Sequence, residues 1–332
     1  MIRVWLNALR VIPQVSKQEW DSYDIVSRWL ISTRAAVFIM TGLAAAIGGL
    51  LAYRSGSFSW PIFLLTFFGL IFAHATNNLL NDYVDYSKGV DKDNYFRALY
   101  GPHPLENGFL TKKRFITYIV VTGLIALTAG LAITYLVGLQ TLWLLIPGLF
   151  FLLFYTWPLK YYGLGEISVV LVWGPLMIGG SYFVVSGGEW SNWVALVSLV
   201  YALGPTTVLL GKHADKLEAD KAKKIRTLPV LIGEKVSRYS IIVLWVVQYA
   251  LVAIFVLTEQ LGPAVLLVLL SIPKFIQMSK IMMQKRPEVA PEGKEGIGWP
   301  LYLVSRAFVF NRSFGMLFLL GLIVDIIIVK FF

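Results

Sequence analysis

Residues 74–93 read HATNNLLNDYVDYSKGVDKD, in which His74, three asparagines and four aspartates close a long apolar run. At about 100° per residue, Asn78, Asn81, Asp82 and Asp85 fall within roughly one quadrant of a helix. They form a stripe of oxygen-bearing side chains on one face, at the point where a hydrophobic helix leaves the bilayer. Gly89 permits a sharp break, so that Asp91 and Asp93 can fold back towards the stripe. Clustered hard oxygens suit Mg²⁺, which keeps some waters and shares its shell with substrate phosphates. Two or three such residues would read as a solvated helix end. This density at a membrane boundary reads as a functional site, because ionisable groups there are costly.

Outward from that stretch, the 332 residues are 57% hydrophobic and 14% charged, with a mean hydropathy of +0.70. That balance excludes a soluble enzyme of this size and predicts an all-α, polytopic membrane bundle in one transmembrane domain, 31–332. Residues 1–30 lack a signal-peptide pattern; Trp5, Leu6, Leu9, Trp20, Ile25 and Trp29 suit an amphipathic segment in the membrane interface. There is no cysteine, hence no disulfide and no thiolate chemistry. No nucleic-acid partner is expected.

Hydrophobic periodicity predicts nine spans, near 31–53, 60–86, 115–137, 140–158, 166–186, 191–213, 239–258, 262–283 and 314–331. The connections after spans two, six and eight are long, which suggests two four-helix halves and a ninth helix. Six Lys/Arg follow span two (Lys88, Lys92, Arg97, Lys112, Lys113, Arg114) and eight follow span six, from Lys212 to Arg238. The opposite face carries Arg54 and Lys330. The positive-inside rule therefore places the N-terminus and the long loops in the cytoplasm of a cell membrane, and the C-terminus outside.

The connection after span six reads GKHADKLEADKAKKIRTLPVLIGEKVSR. Asp215 and Glu218 share a face of an unbroken helix, whereas Asp220 lies about 140° from Asp215. A third element, YTWPLKYYGLGE (155–166), has Pro158 ending a helix and Lys160 in a tight turn made by Gly163 and Gly165. Arg34 either snorkels or reaches the site, and His74 is either an interhelical hydrogen-bonding group or part of it. The 287–312 loop reads as a lid or an interfacial helix. Two carboxylate clusters with intervening cations at the mouth of an apolar bundle describe a diphosphate site. The apolar interior would hold a hydrocarbon tail, and aromatic faces could stabilise an allylic cation from which water is excluded.

NDYVDYSKGVD (81–91) resembles the first aspartate-rich motif of the UbiA superfamily of intramembrane prenyltransferases. Gly89 with an aspartate two residues later is similar to the MenA branch, which prenylates 1,4-dihydroxy-2-naphthoate for menaquinone. The Gly-Leu-Gly-Glu and Gly-Pro-Leu elements within 155–188 and the RTLPVLIGE stretch resemble the same branch, over roughly residues 30 to 285. The resemblance implies a nine-helix bundle, two Mg²⁺ ions, and transfer of a polyprenyl chain from its diphosphate to a small aromatic acceptor. It further implies metal ligation by Asn81, Asp82, Asp85 and Asp91, and by Asp215 and Asp220. Asp85, Asp220 and Lys160 would be catalytic, and Arg34, Lys88, Tyr155, Lys160, Lys212 and Arg226 would bind substrate. The family's second motif spaces its aspartates four apart; here they are five apart, with Lys216 in the expected slot. The partner of Asp215, Glu218 or Asp220, is left open.

A transporter would place charges mid-span, and among the predicted spans only Lys274 and Asp325 do so. A CDP-alcohol phosphotransferase would need an Asp-Gly-x-x-Ala-Arg motif, which the chain lacks. Other acceptors, such as 4-hydroxybenzoate, a chlorin or an isoprenoid glycerol phosphate, remain compatible with the motifs. The topology is checked by reporter fusions: one in the 87–114 connection should read cytoplasmic, and one after Phe332 external. The same side for both would break the odd span count.

Overall fold

The apolar runs become helices with few interruptions. A computed structural model describes residues 1–90, 101–290 and 299–331. An N-terminal trio, α1 (Ile2–Arg10), α2 (Lys17–Ser22) and α3 (Ile25–Ser32), precedes the bundle. Ser16 and Glu19 form a reciprocal capping box at α2, and Asp24 caps α3 through Ser27 N at 2.6 Å. That Ser27 N–H holds the Asp24 carboxyl below its usual range. The carboxylate also takes the Trp5 indole N–H at 3.1 Å, pinning α1 to α3.

Among the described residues, eight helices are long and apolar enough to cross a membrane: α4 (Ala35–Arg54), α5 (Trp60–Ser87), α6 (Lys112–Val137), α8 (Gly165–Val185), α9 (Asn192–Asp215), α12 (Glu234–Leu257), α13 (Pro263–Met282) and α14 (Tyr302–Lys330). Between α6 and α8 lies α7 (Leu139–Phe154), which is apolar but shorter. Its sixteen residues rise about 24 Å, less than the ~30 Å hydrocarbon core. It ends at Phe154 rather than 158, because the chain turns at Tyr155 and Pro158 into a 3₁₀ segment, Leu159–Tyr162. Two short helices, α10 (Leu217–Ala222) and α11 (Leu228–Ile232), occupy the connection after α9.

α4, α8 and α9 are enclosed, while the remaining long helices turn apolar faces such as Leu124, Val243 and Leu257 outward. α8 contains a π-helical stretch, Val172–Gly179, around Pro175, whose missing N–H releases the regular ladder.

The last span starts at Tyr302, not near 314. The 287–312 stretch, expected as a lid or an interfacial helix, thus ends in the first turns of this span. Tertiary contacts carry the helix back through them. Asp215, at the end of α9, accepts from Leu303 N at 2.9 Å and from Val304 N at 2.9 Å, satisfying N–H groups that a helix start leaves orphaned. One turn earlier stands Gly211, where a Cβ would sit 3.1 Å from the Val304 backbone. The bundle repeats this device at its other end. Asp325 on α14 accepts from Ala264 N at 2.9 Å at the start of α13. Gly321, one turn earlier, lets that backbone approach; a Cβ there would lie 2.5 Å from Val265 Cα. Gly-x-x-x-Asp thus works twice as a docking element, the glycine admitting a helix start and the aspartate capping it with favourable charge.

These caps are testable. Asp325→Ala should destabilise the bundle by about 1–2 kcal/mol, measured by denaturant unfolding in mixed micelles. Asp325→Asn, which keeps an acceptor oxygen, should lose less.

Candidate functional site

The oxygen stripe forms as its spacing predicts: α5 remains helical to Ser87, and Asn81, Asp82 and Asp85 are all buried. Gly89 adopts φ +67°. Val90 N bonds Asp85 O and Gly89 N bonds Tyr86 O, a two-bond C-terminal cap. Asp91 lies outside the described residues.

Each buried group on the stripe meets a partner from another element. Lys160 Nζ contacts both Asp85 oxygens at 2.7 Å, and the lysine is only 6% exposed. Arg34 Nη1 lies 3.2 Å from Asp82 Oδ1, while its Nη2 donates to Asn78 O at 3.0 Å. Asn78 donates back to Thr33 O at 2.8 Å, and Asn81 donates to Thr156 Oγ1 at 3.2 Å. Arg34 sits at φ +56°, a left-handed conformation that costs a non-glycine residue about 1–2 kcal/mol. It is held there, at the break before α4, by bonds from its guanidinium to α5.

The second acidic segment folds differently from an unbroken helix. α9 ends at Asp215, Lys216 makes the turn, and α10 restarts the helix. Asp220 is thereby buried and Glu218 exposed. Asp220 Oδ1 lies 3.4 Å from Lys216 Nζ, and Thr227 Oγ1 is 3.4 Å from Asp220 Oδ2. Both oxygens of Asp215, expected from the sequence to bind metal, are taken by the α14 N-terminus and by Arg286 Nε at 2.9 Å. Arg286 also stacks on Trp299 and bonds Pro300 O.

Both segments gather at one end of the bundle. Lys223 donates to Gly89 O at 3.1 Å, and Lys212 is within electrostatic reach of Arg34, Lys160, Lys216 and Asp85. They cap a cavity of about 1160 Å³, lined with apolar groups such as Leu127, Leu145, Leu149, Trp173, Leu176 and Met177. Its polar lining includes Arg34, Asn78, Asn81, Tyr155, Lys160 and Lys212. Asp82 and Asp85 do not line it; each is paired to a cation that does. His74 makes an interhelical bond to Thr41 Oγ1 at 2.7 Å and also faces the cavity. Lys88 and Arg226 are exposed; Lys88 Nζ rests 4.6 Å above the Trp157 ring.

Two features gave no spacing signal. His213 Nδ1 lies 2.8 Å from Glu166 Oε1, both buried, although 47 positions separate them. Arg10, Val11, Ile12 and Gln14 also line the cavity, so the N-terminal segment folds over the bundle.

Among the described residues no three Asp, Glu or His side chains form a ready-made cage. The Asn81, Asp82 and Asp85 set offers oxygen donors, as a hard divalent ion that keeps substrate oxygens in its shell requires. The Asp215 and Asp220 pair does not, because Asp215 already accepts three N–H donors.

Residues 42–294 match the model of the UbiA prenyltransferase family. The chain belongs to that family. It is 28% identical over 246 residues to the UbiA prenyltransferase domain-containing protein 1 homolog of Drosophila melanogaster, covering 70% of this chain and 65% of that protein. The chain thus spans a little under two thirds of the fly relative. It is 28% identical to the 1,4-dihydroxy-2-naphthoate octaprenyltransferase of Escherichia coli K12 over 277 residues, covering 79% of this chain and 87% of that one. A UbiA homolog from Archaeoglobus fulgidus, solved bound to GPP and Mg²⁺, shares the fold with a TM-score of 0.56 at 16% identity. That match covers 88% of this chain and 99% of the other. This UbiA-family member has the helices of a multi-pass membrane protein, as its apolar runs predicted.

Removing the Asp85 charge tests the stripe. Asp85→Asn keeps the side-chain size, and turnover should fall roughly a hundredfold or more, measured as product per minute at saturating Mg²⁺. Activity within twofold of the unaltered protein would remove Asp85 from the reacting site.

Proposed function

We propose that this protein transfers a polyprenyl chain from its diphosphate to a ring carbon of 1,4-dihydroxy-2-naphthoate, at the cytoplasmic face of a cell membrane. The observation that carries the proposal is the arrangement of buried Arg34 and Lys160, with half-buried Lys212 beside them, at the polar end of an apolar cavity. Buried cations at the end of a hydrocarbon-lined space suit an amphiphile with an anionic head. The acceptor is favoured by the Escherichia coli relative, which bears that activity in its name and aligns over most of both chains.

Asn81, Asp82 and Asp85 would hold Mg²⁺, together with Asp91, and the ion would supply positive charge against the diphosphate. Lys160 has three N–H donors to share between Asp85 and a diphosphate oxygen, and Lys212 and Arg34 add fixed positive charge beside it. Lys88 and Arg226, exposed, are suited to guide the anion inward. The prenyl tail lies along Leu127, Leu145 and Leu149, away from water. Trp173 and Tyr155 offer ring faces to the allylic cation. Diphosphate leaves with the electron pair of the allylic C–O bond, and the acceptor ring carbon then bonds to the allylic carbon and loses a proton.

The test uses the purified chain in nanodiscs with geranylgeranyl diphosphate, Mg²⁺ and three acceptors offered separately: the naphthoate, 4-hydroxybenzoate and an isoprenoid glycerol phosphate. Prenylated naphthoate and diphosphate should form in equal amounts. Product with another acceptor and none with the naphthoate would overturn the acceptor assignment.

A further inference from the structure

The second acidic segment holds two aspartates with different work. Asp215 is fully engaged as the cap of α14. Its oxygens take Leu303 N, Val304 N and Arg286 Nε, each at 2.9 Å. Gly211 on the same face admits the α14 start, and the identical Gly-x-x-x-Asp pattern at Gly321 and Asp325 does the same for α13 at the far end of the bundle. The Asp325 copy stands apart from the gathered cations, so the pattern has a structural purpose that needs no metal. A carboxylate with three N–H donors on its two oxygens has little lone-pair capacity left for an ion.

Asp220 is then the remaining buried carboxylate of the segment, and it faces Lys216 across 3.4 Å. Both residues sit on one turn of helix, four positions apart, and Lys216 is 8% exposed. An ion brought to Asp220 would meet one available carboxylate with an ammonium 3.4 Å away, whereas the stripe groups Asn81, Asp82 and Asp85 on one face. The Lys216 ammonium also supplies, permanently, part of the positive charge that such a cation would bring. Lys212 lies within electrostatic reach of it.

We propose that this prenyltransferase works with one divalent ion, held by the Asn81, Asp82 and Asp85 stripe, and that the Lys216 ammonium, oriented by Asp220, takes the place of a second. The proposal rests on the diphosphate reading of the site given above and departs from the two-ion expectation of the sequence. Lys216 adds its charge beside Lys212, which lines the polar end of the cavity; Asp220 positions Lys216, and Asp215 is structural.

The experiment counts ions rather than turnover. The full-length protein in nanodiscs is titrated with Mn²⁺ in the presence of a non-reactive geranylgeranyl thiodiphosphate, and bound Mn²⁺ is followed by electron paramagnetic resonance. The unaltered protein should bind one ion per chain with an isolated six-line spectrum. Lys216→Asp, which sets two carboxylates one turn apart, should bind two, with a spin-coupled signal. Asp215→Asn should still bind one ion with affinity within about twofold, and should unfold at a lower temperature. Two coupled ions in the unaltered protein, or loss of the ion in Asp215→Asn, would overturn the proposal while leaving the prenyl-transfer reading intact. A Lys216→Asp protein that binds one ion would overturn the part assigned to Lys216. Absence of any bound Mn²⁺ in the unaltered protein would overturn both the proposal and the diphosphate reading.

Discussion

A backbone N–H that begins a helix beside hydrocarbon has no water to bond, and an unsatisfied one costs several kcal/mol. That constraint shapes this bundle at both ends. Asp215 caps α14, Asp325 caps α13, and a glycine one turn before each aspartate lets the capped backbone come close. The consequence reaches the candidate site. α14 lines the cavity through Val304, Ser305, Phe308 and Val309, so its capped start fixes one wall of that space. Arg286, bonded to the same Asp215, fastens the segment that leads into α14 by stacking on Trp299 and donating to Pro300 O.

The second ordering principle is the grouping of buried charge. Asp85 with Lys160 and Asp82 with Arg34 are ion pairs at least nine-tenths buried. Such pairs add little net stability, since desolvation offsets their attraction, yet losing one partner is expensive. Their value here is electrostatic. In a site of low dielectric, fixed charges act strongly on an incoming anion and need no reorganisation when it arrives. The left-handed Arg34 fits the same pattern, because its guanidinium is held in place against α5 at some backbone cost.

Local pattern alone determined the membrane class, the helices, the gathering of polarity at one end and the stripe of Asn81, Asp82 and Asp85. Each follows from a period or a composition that hydrocarbon enforces: apolar runs must be helical, and residues three and four apart share a face. The family motif was legible for the same reason, since its spacing is local to one helix. Lys160 was singled out as the lone cation of a short turn, although nothing in that turn shows that it faces α5 across 75 positions.

Tertiary structure decided what depends on contacts distant in the chain. Residues 302–313 become helix because Asp215 caps them from 88 positions away. The same bond, with those from Val304 and Arg286, occupies the oxygens of Asp215, whose neighbourhood suggested a metal ligand. Whether Asp220 or Glu218 turns inward depended on a helix break at Lys216, which periodicity assumes away. The Glu166–His213 contact and the folding of Arg10 to Gln14 over the cavity likewise left no sequence signal. A sequence period states which side chains share a face. Only the packed bundle states what that face meets, and a carboxylate's function is set by whether a backbone N–H, an ammonium or an ion reaches it.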